Sequence, residues 1–537
     1  MLATFLLLLV ALAVAVALGL RRAEPLLRAR IVAELERRFH ARVELDGFHL
    51  SLAGGLWAEG KGLRIWPAKD LAGPADSAAN SAAPLIRIDS FRFHAPLRYS
   101  PGKPLHISVV ELEGVAIDIP PKQQQTRPTA PAGLAETIKK SPFADVLLRF
   151  EIDTIECKSA HLTLETSRPG KMPLEFAISR FKLAGVSAAG PMRFEAELTN
   201  PRPKGTVVTS GSFGPWAVED PGETPLTGSY RLEHADLADF KGIAGTLSSA
   251  GSYQGTLRQM TVDGTTETAD FRLTHFGTAL PLHTKFHARV DALNGDTRLE
   301  PVAATLGHSH FTARGQIVHL PATARPTGHQ ITLQINVDRG RIEDFLRLAS
   351  HGGTPLLTGD LVLETTLDIP PGKAPVHERM QLDGSFVLSS ATFASPKIQG
   401  SIAQLSARGQ GQPQEAKTGD PAAVHSAIQS NFQIISGVIT LPNIRYTVPG
   451  AEIDLKGTYT LEGGGLNFAG TAKTEAKVSQ MVGGWKGLLL KPVDSFFAKD
   501  GAGVEVPIHI DGTGSNPHFG IDFGRWKHSS PAQPGER

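Results

Sequence analysis

The stretch VEVPIHIDGT, residues 504–513, decides the fold class because apolar and polar residues alternate along it. Val504, Val506, Ile508 and Ile510 occupy every second position of this run. Successive side chains of a β-strand point to opposite faces, so this period predicts a strand with one apolar and one polar face. The Asp-Gly pair near its end is typical of a turn.

The same alternation recurs along most of the chain after residue 42, and it predicts a mainly β protein with antiparallel pairing. Gly (55) and Pro (38) are both frequent, as expected of a chain with many turns. Some glycines could instead mark bulges that bend a strand. The dipeptides that predict such turns or bulges are Asp263-Gly264, Asn294-Gly295, Asp383-Gly384 and Asp511-Gly512.

Two arrangements can accommodate an apolar face that is repeated over so many strands. Two sheets can pack face to face about 10 Å apart as sandwiches. Alternatively, one elongated, curled antiparallel β-sheet can form a groove lined by its apolar side. An open groove costs on the order of 25 cal/mol per Å² to hydrate, so it requires an apolar ligand such as lipid chains. The alternation does not choose between groove and sandwich.

If the sheet is a groove, its lining comes from the apolar positions of the alternating runs. Trp57, Trp66 and Trp485 are candidates for the ends of that groove, because Trp tolerates an interface between water and lipid. The lipid-groove candidates are Ile86, Ile88, Phe91, Phe93, Ile107, Val109, Phe194, Leu198, Phe286, Val290, Leu361, Leu363, Phe386, Leu388, Ile453, Leu455, Val506, Ile508 and Ile510.

Residues 2–20, LATFLLLLVALAVAVALGL, carry no charge. At ~1.5 Å per residue this helix would reach about 28 Å, close to the thickness of a membrane core. A cleavable signal peptide is the alternative, because Ala13, Ala15 and Ala17 offer small-x-small sites. No Lys or Arg precedes the apolar run, so we predict a retained transmembrane helix. The arginines that follow would favour a cytoplasmic chain, but long domains translocate largely regardless of flanking charge.

Helical patterns are sparse after this segment. Residues 24–40 form an amphipathic pattern that could lie on a membrane surface or, as we favour, cap the first strands. Residues 237–241 and 341–349 predict short helices, and glycines interrupt a third pattern over residues 476–499. Runs rich in Pro, Ala, Ser, Gln or Gly predict flexible loops at residues 68–84, 120–142 and 409–423.

Composition excludes several classes of function. Lys plus Arg (54) nearly cancel Asp plus Glu (53), so the chain is a poor candidate for binding nucleic acid. The single cysteine, Cys157, excludes an internal disulfide framework and predicts a small buried side chain. Cations on the polar strand faces are expected to be solvated, or else to meet phosphate head groups at a groove rim: Arg87, Arg92, Lys158, Arg180 and Arg289.

Catalytic motifs are weak. Residues 179–182 match S-x-x-K, but the S-D-N and K-T-G partners of such a site are missing. His308 and His310 have a spacing that could bind metal, yet no third ligand is evident nearby. Glu343 and Asp344 suit the first turn of a helix. We therefore predict a non-enzymatic protein with no cofactor and no metal site.

Three groups of segments resemble the AsmA-like proteins of Gram-negative envelopes. The first is the apolar start followed by RIVAELERRFHARVELDGFHLSL (residues 30–52) and GLWAEGKGLRI (55–65). The second comprises residues 236–257, 266–273, 294–315 and 383–411. The third is GVITLPNIRYTVPGAEIDLKGTYTL (437–461) with VPIHIDGTGSNPHFGIDF (506–523). These are loose structural patterns that together cover most of the chain.

The resemblance implies an inner-membrane anchor at residues 1–22 and a periplasmic body with a β-groove akin to bridge-like lipid-transfer proteins. It divides the body into an N-terminal AsmA-like region (23–200), a middle groove region (201–436), a C-terminal AsmA-like region (437–524) and a disordered tail (525–537). The implied partners are membrane lipids, with glycerophospholipids favoured, and an envelope protein to which lipid is handed.

The function implied is phospholipid transfer or outer-membrane lipid homeostasis. An envelope scaffold or assembly factor with closed sandwiches is the alternative. A polysaccharide-binding protein is less favoured, because the chain holds only five Trp and five Tyr.

Overall fold

The computed structural model describes residues 24–36 in part, 42–51, 56–66, 84–95, 105–119, 150–164, 174–186, 190–215, 223–240, 242–256, 258–274, 278–291, 295–320, 328–349, 355–415, 420–481, 503–514 and 516–521. No helix in these ranges is both long enough and apolar enough to cross a membrane. The predicted span at residues 2–20 and the predicted tail at 525–537 lie outside the described residues.

The chain forms two compact units. Unit 1 comprises residues 1–235 with 252–257, and unit 2 comprises residues 236–251 with 258–537. The expected boundary at 200/201 falls inside a strand of unit 1, and that at 436/437 falls in a turn between two strands of unit 2. Strands dominate both units, so the prediction of a mainly β fold is confirmed.

The described residues of unit 1 contain ten complete strands. The first four pair antiparallel in chain order, and so do the seventh to tenth. The strands are β1 (Val43–Ser51), β2 (Leu56–Ile65), β3 (Ile86–Ala95), β4 (Leu105–Ile119), β5 (Phe150–Cys157), β6 (Ala160–Leu164), β7 (Leu174–Val186), β8 (Met192–Pro201), β9 (Lys204–Phe213) and β10 (Pro225–Asp236).

The sheet of unit 1 is mixed, so the prediction of purely antiparallel pairing is wrong at one strand. β4 pairs in parallel with both β5 and β6. These two short strands then pair antiparallel with β7. A parallel pair needs a long crossover, and residues 120–149, which contain a predicted loop, connect β4 to β5. Alternation within a strand carries no information about this connection.

The alternation of apolar and polar positions shifts by one residue at the same cross-strand position on each of the strands β1 to β4. On β3, the half-buried Ile88 and the buried Phe91 are three positions apart, and both lie on apolar cross-strand rows. Gly62 on β2 and Gly114 on β4 adopt φ +65°, a conformation that favours glycine. The shift keeps an apolar side on both halves of these strands.

Helical residues within 24–36 lie along the outer edge of β1. Leu27, Val32 and Leu35 pack against the cluster of buried residues on β1 to β4. Three side chains also bind backbone groups that β1 does not use for pairing with β2. Glu24 accepts from the N–H of Leu50 (2.9 Å), Glu36 accepts from the N–H of Val43 (3.3 Å), and Arg28 donates to the carbonyl of Leu45 (3.0 Å).

Unit 2 holds a regular ladder. From the thirteenth strand to the last, every strand pairs antiparallel with the next in chain order. The strands are β11 (Ile243–Ala244), β12 (Thr246–Thr256, of which residues 252–256 belong to unit 1), β13 (Met260–Leu273), β14 (Leu280–Val290), β15 (Thr297–Leu306), β16 (Ser309–His319), β17 (His329–Arg341), β18 (Leu357–Ile369), β19 (Gln381–Phe393), β20 (Ser426–Ile435), β21 (Val438–Val448), β22 (Ala451–Thr460), β23 (Gly465–Thr474), β24 (Val504–Thr513) and β25 (Asn516–Ile521).

Short helices decorate this ladder: α1 (Ile342–Ala349), α2 (Val376–Arg379), α3 (Pro396–Gly409) and α4 (Val478–Met481). The predicted helix at 341–349 is confirmed as α1, with Glu343 and Asp344 in its first turn. The pattern at 237–241 is a single 3₁₀ turn. Of the pattern at 476–499, α4 is described and residues 482–499 lie outside the described residues. α3 was not predicted.

Three of the four predicted Asp-Gly or Asn-Gly turns are not turns. Gly264, Gly384 and Gly512 lie inside β13, β19 and β24. Two of them face a phenylalanine on the next strand, in the pairs Gly264–Phe286 and Gly384–Phe432. Glycine serves close packing here rather than chain reversal. Only Gly295, with φ +84°, lies in a connection between strands.

Candidate functional site

Unit 2 has an apolar face and a polar face. Along β13 to β25, residues on one side are buried or half-buried, whereas most residues on the other side are exposed. Cross-strand pairing keeps this division in register, as in the run Val302–Ala313–Ile335–Thr365–Gly384 from β15 to β19. The alternation that predicted the strands therefore produces one continuous apolar face in this unit.

Most of the groove candidates are half-buried. Ile86, Ile88, Phe194, Leu198, Phe286, Val290, Leu363, Phe386, Ile453, Leu455, Val506, Ile508 and Ile510 fall in this class. Phe91, Phe93, Ile107, Leu361 and Leu388 are buried. Val109 is 36% exposed whereas Ile107 is 2% exposed, so the prediction that both share a face is wrong. The buried side of β4 continues at Val110 instead, because the alternation shifts there.

The buried candidates of unit 1 belong to one core cluster. Phe91, Phe93 and Ile107 are buried members of the cluster on β1 to β4 against which Leu27 and Leu35 pack. These three side chains are core residues in the described structure. Ile86 and Ile88 pack at the margin of the same cluster.

Helices cover one row of the apolar face of unit 2. Cross-strand pairs join Leu361, Leu388, Ile428, Tyr446 and Ile453, which we call the covered row. Ile342 and Phe345 of α1 pack on Leu361 and Leu388, and Ile402 and Leu405 of α3 pack on Tyr446. Leu361 and Leu388 are therefore core residues rather than groove lining.

Tyr446 anchors the covered row through a buried hydroxyl. Its oxygen lies 2.6 Å from Oγ of Ser426, and both side chains are buried. Burial raises the pKa of Tyr446 to about 12, against which the Ser426 hydrogen bond acts.

The large side chains of the row next to it are half-buried rather than buried. This open row contains the paired Leu363 and Phe386, and further along Ile444, Leu455 and Ile508. Gly470 on β23 lies between Leu455 and Ile508, and Ala472 lies likewise between Ile453 and Val506. Small residues on β23 thus separate two lines of larger apolar side chains. Ile444 was missed by the sequence analysis because Pro442 and Asn443 interrupt the alternation of β21.

Glycines on the apolar face allow neighbouring strands to approach closely. At four of them a Cβ atom would meet a carbonyl oxygen of the adjacent strand, so none of the four can take a side chain unless that strand moves. The contacts would be Gly315 with Thr332 at 2.0 Å, Gly384 with Glu364 at 2.2 Å, Gly457 with Asn467 at 2.0 Å and Gly470 with Asp454 at 1.8 Å.

Clusters of buried apolar residues contain only neighbouring strands and their covering helices. The cluster around Leu361 draws on β18 to β20 with α1, and that around Tyr446 draws on β19 to β22 with α3. The two clusters of unit 1 likewise contain strands β1 to β7 and the helical residues before them. In the described part of the chain, no such cluster includes strands of an opposing sheet.

The candidate rim cations lie on polar strand faces, and most are paired. Arg87 lies 3.8 Å from Asp89, Arg180 lies 3.7 Å from Glu197, and Arg289 lies 3.0 Å from Glu300. Arg92 lies 2.6 Å from Glu111, and Lys158 is exposed. Neighbouring carboxylates compensate the charges of these exposed arginines, so the arginines are not grouped around a phosphate site.

Trp57 and Trp66 are half-buried at the two ends of β2, whereas Trp485 lies outside the described residues. Trp57 stacks edge-on with His94 at 5.2 Å, and the guanidinium of Arg42 lies 5.1 Å from the ring centre of Trp66. Both rings therefore have partners within unit 1.

Residues of the weak catalytic motifs bind neighbouring groups, and two of the motifs meet at Asp344. His308 Nδ1 lies 3.7 Å from this buried carboxylate, and Ser309 donates to it at 2.8 Å. Ser179 donates to the carbonyl of Glu197 (3.1 Å), and Lys182 forms an ion pair with Glu156 (3.1 Å). His310 contacts Thr305 Oγ1 at 3.0 Å. Among the residues that the structure describes, no group of three or more His, Cys, Asp or Glu side chains could hold a metal ion.

Cys157 is buried, and burial raises the pKa of its thiol.

No family model, no curated protein and no solved structure matches this chain. The resemblance to AsmA-like proteins accordingly stays a prediction from sequence motifs.

Proposed function

We propose that the protein is a non-enzymatic, membrane-anchored lipid-binding protein of the AsmA-like type. Acyl chains lie on the open row of unit 2, and the body of the chain resides in the periplasm. The protein contributes to phospholipid transfer or to lipid homeostasis of the outer membrane, and it passes lipid to an envelope protein.

One observation carries this proposal. The large side chains of the open row are half-buried, and among the described residues no cluster of buried apolar side chains includes strands of an opposing sheet. A sandwich would bury these side chains from both sides. An apolar face of this extent is stabilised when hydrocarbon replaces water on it, at about 25 cal/mol per Å². The close approach of strands at Gly457 and Gly470 supports a groove curled toward this face.

Lipid analysis of the full chain tests the proposal. We expect mass spectrometry of the washed protein to find about one phospholipid or more per chain. Ile508→Glu on the apolar face should abolish most of this lipid, because burying a carboxylate beside acyl chains is costly. Thr440→Glu, an exposed position on the polar face of β21, is the matched control and should retain lipid.

A folded, lipid-free wild-type protein would overturn the proposal and favour the scaffold alternative. Unfolding of Ile508→Glu, with lipid retained by milder Ile508→Ser, would mean that this position is core.

A further inference from the structure

A cavity of about 630 Å³ opens on the polar face of β19 to β23. Most of these strands contribute two polar-face residues that flank one apolar-face residue, as Gln429 and Asn431 flank Ser430. The flanked residues include Phe386, Ile444, Leu455 and Gly470 of the open row, which alternate with the polar-face residues, so the charged and amide groups of the cavity come from the polar face. The inference below rests on those polar groups and does not rest on the proposed function.

The charges around this cavity leave one cation uncompensated. Arg445 is shared between Glu452 (3.5 Å) and Asp454 (3.6 Å), and Lys473 also pairs with Asp454 (3.4 Å). Lys456 lines the cavity, is exposed, and forms no ion pair in the described structure. Its cross-strand neighbour on β23 is Ala469, whose small side chain gives the cavity depth beside the ammonium group.

A bulge on β21 creates the space next to Lys456. The ladder between β20 and β21 is interrupted from Gln429 to Gln433, where Pro442 and Asn443 lie opposite. The Asn443 side-chain oxygen accepts from the N–H of Asn431 at 2.9 Å, which satisfies one backbone group freed by the bulge. The carboxamide nitrogen of Asn443 remains as a donor at the cavity. Bulges recur beside binding sites because they redirect side chains in this way.

A second cavity on the polar face provides an internal comparison. It measures about 530 Å³, spans β13 to β17, and is also lined by a lysine, Lys285, whose cross-strand neighbour is Ala303. Glu267 and Asp338 line it as well, so its carboxylates outnumber its one lysine. In the first cavity Arg445 and Lys456 outnumber Asp454.

We propose that the first cavity binds a phosphate ester of a small polyol. Lys456 supplies the charge, Asn443 and Gln429 supply neutral hydrogen bonds, and the size lies within the range of small-molecule sites. Charge-assisted hydrogen bonds to the phosphate provide most of the affinity. The ester is either a soluble metabolite or the head group of a phospholipid, because both present the same chemistry.

Calorimetric titration of the full chain in neutral detergent tests this site, with sn-glycerol 3-phosphate as the probe and glycerol as the uncharged control. We expect wild type to bind glycerol phosphate and not glycerol. Lys456→Gln should weaken binding about tenfold or more. Lys285→Gln, the matched change in the second cavity, should leave the affinity within about twofold.

Absence of wild-type binding at roughly tens of millimolar would overturn the inference, as would equal effects of the two variants. Flotation with phosphatidylglycerol vesicles identifies the source of the ester. If the site binds a lipid head group, a smaller fraction of Lys456→Gln than of Lys285→Gln should float with the vesicles. Equal flotation, together with a selective loss of glycerol phosphate binding, assigns the site to a soluble ester. Lipid content of the purified protein stays unchanged in either case, which separates this test from that of the proposed function.

Discussion

Glycine at position 470 illustrates how single residues set the geometry of the apolar face. A Cβ atom there would lie 1.8 Å from the carbonyl oxygen of Asp454 on the adjacent strand, so no side chain fits without separating β22 from β23. Phe468, two residues away, lies over Gly457, where a Cβ atom would lie 2.6 Å from its ring. Aromatic rings that cover cross-strand glycines compensate for the weak strand propensity of glycine.

Gly470→Ala is therefore expected to destabilise the protein by about 2–4 kcal/mol, in the range of strained core substitutions. Gly400→Ala is the matched control, because Gly400 lies in α3 and, apart from its chain neighbours and the backbone of its own helix, no atom lies within 4 Å of the added methyl group. That change should stabilise by about 0.5–1 kcal/mol, since alanine favours helix over glycine. Urea unfolding measures both, and an unchanged midpoint for Gly470→Ala would contradict the close approach.

The buried phenol of Tyr446 should make the folded state less stable at alkaline pH. Its pKa is raised to about 12 from 10 by burial, so the folded state keeps the phenol neutral while the unfolded state ionises. The stabilisation is complete below pH 10 and is lost as pH rises toward 12, by about 2–3 kcal/mol in total. Between pH 10 and pH 12 the free energy of unfolding should fall less steeply in Tyr446→Phe than in wild type. The same slope in both proteins would show that other groups dominate.

At the scale of elements, the helical residues 24–36 protect the edge of β1. Glu24, Arg28 and Glu36 occupy backbone groups that a strand from another molecule would otherwise bind. Exposed strand edges are sites of association, and proteins often cover them with a helix.

Replacing these three side chains with alanine should increase self-association, which light scattering detects as a concentration-dependent rise in mass. The double variant Arg92→Ala/Glu111→Ala is the control, because it breaks an exposed ion pair between β3 and β4 without freeing a strand edge. Association in both variants would indicate a general loss of surface charge instead.

Sequence periodicity predicted the strands well and the helices unevenly. α1 follows an apolar pattern with acidic residues in its first turn, whereas α3 was missed although Ser395 is its N-cap and Pro396 begins it. Its apolar face is short, with Ile402 and Leu405 in contact with the sheet. Buried Gln399 holds it instead, donating to the carbonyls of Pro421 and Val424 at 2.8 Å each, and such a polar anchor leaves no periodic trace.

At the scale of the molecule, alternation fixes which residues share a face but not what covers that face. Phe386 and Leu388 are adjacent positions of one pattern, yet α1 covers Leu388 whereas Phe386 extends into the open row. Val109 was misplaced because the buried positions of β4 are Ile107 and Val110, which are three residues apart rather than two. The parallel pairing of β4 depends on a distant crossover, which local periodicity cannot encode.

The different pairing of β4 also bears on how the chain folds. The antiparallel ladder from β13 to β25 brings together only strands that are consecutive in the chain, so it can grow one hairpin at a time as synthesis proceeds. β5 cannot join β4 in this way, because residues 120–149 must first close as a loop. We expect closure of this loop to be the slowest step in the assembly of unit 1.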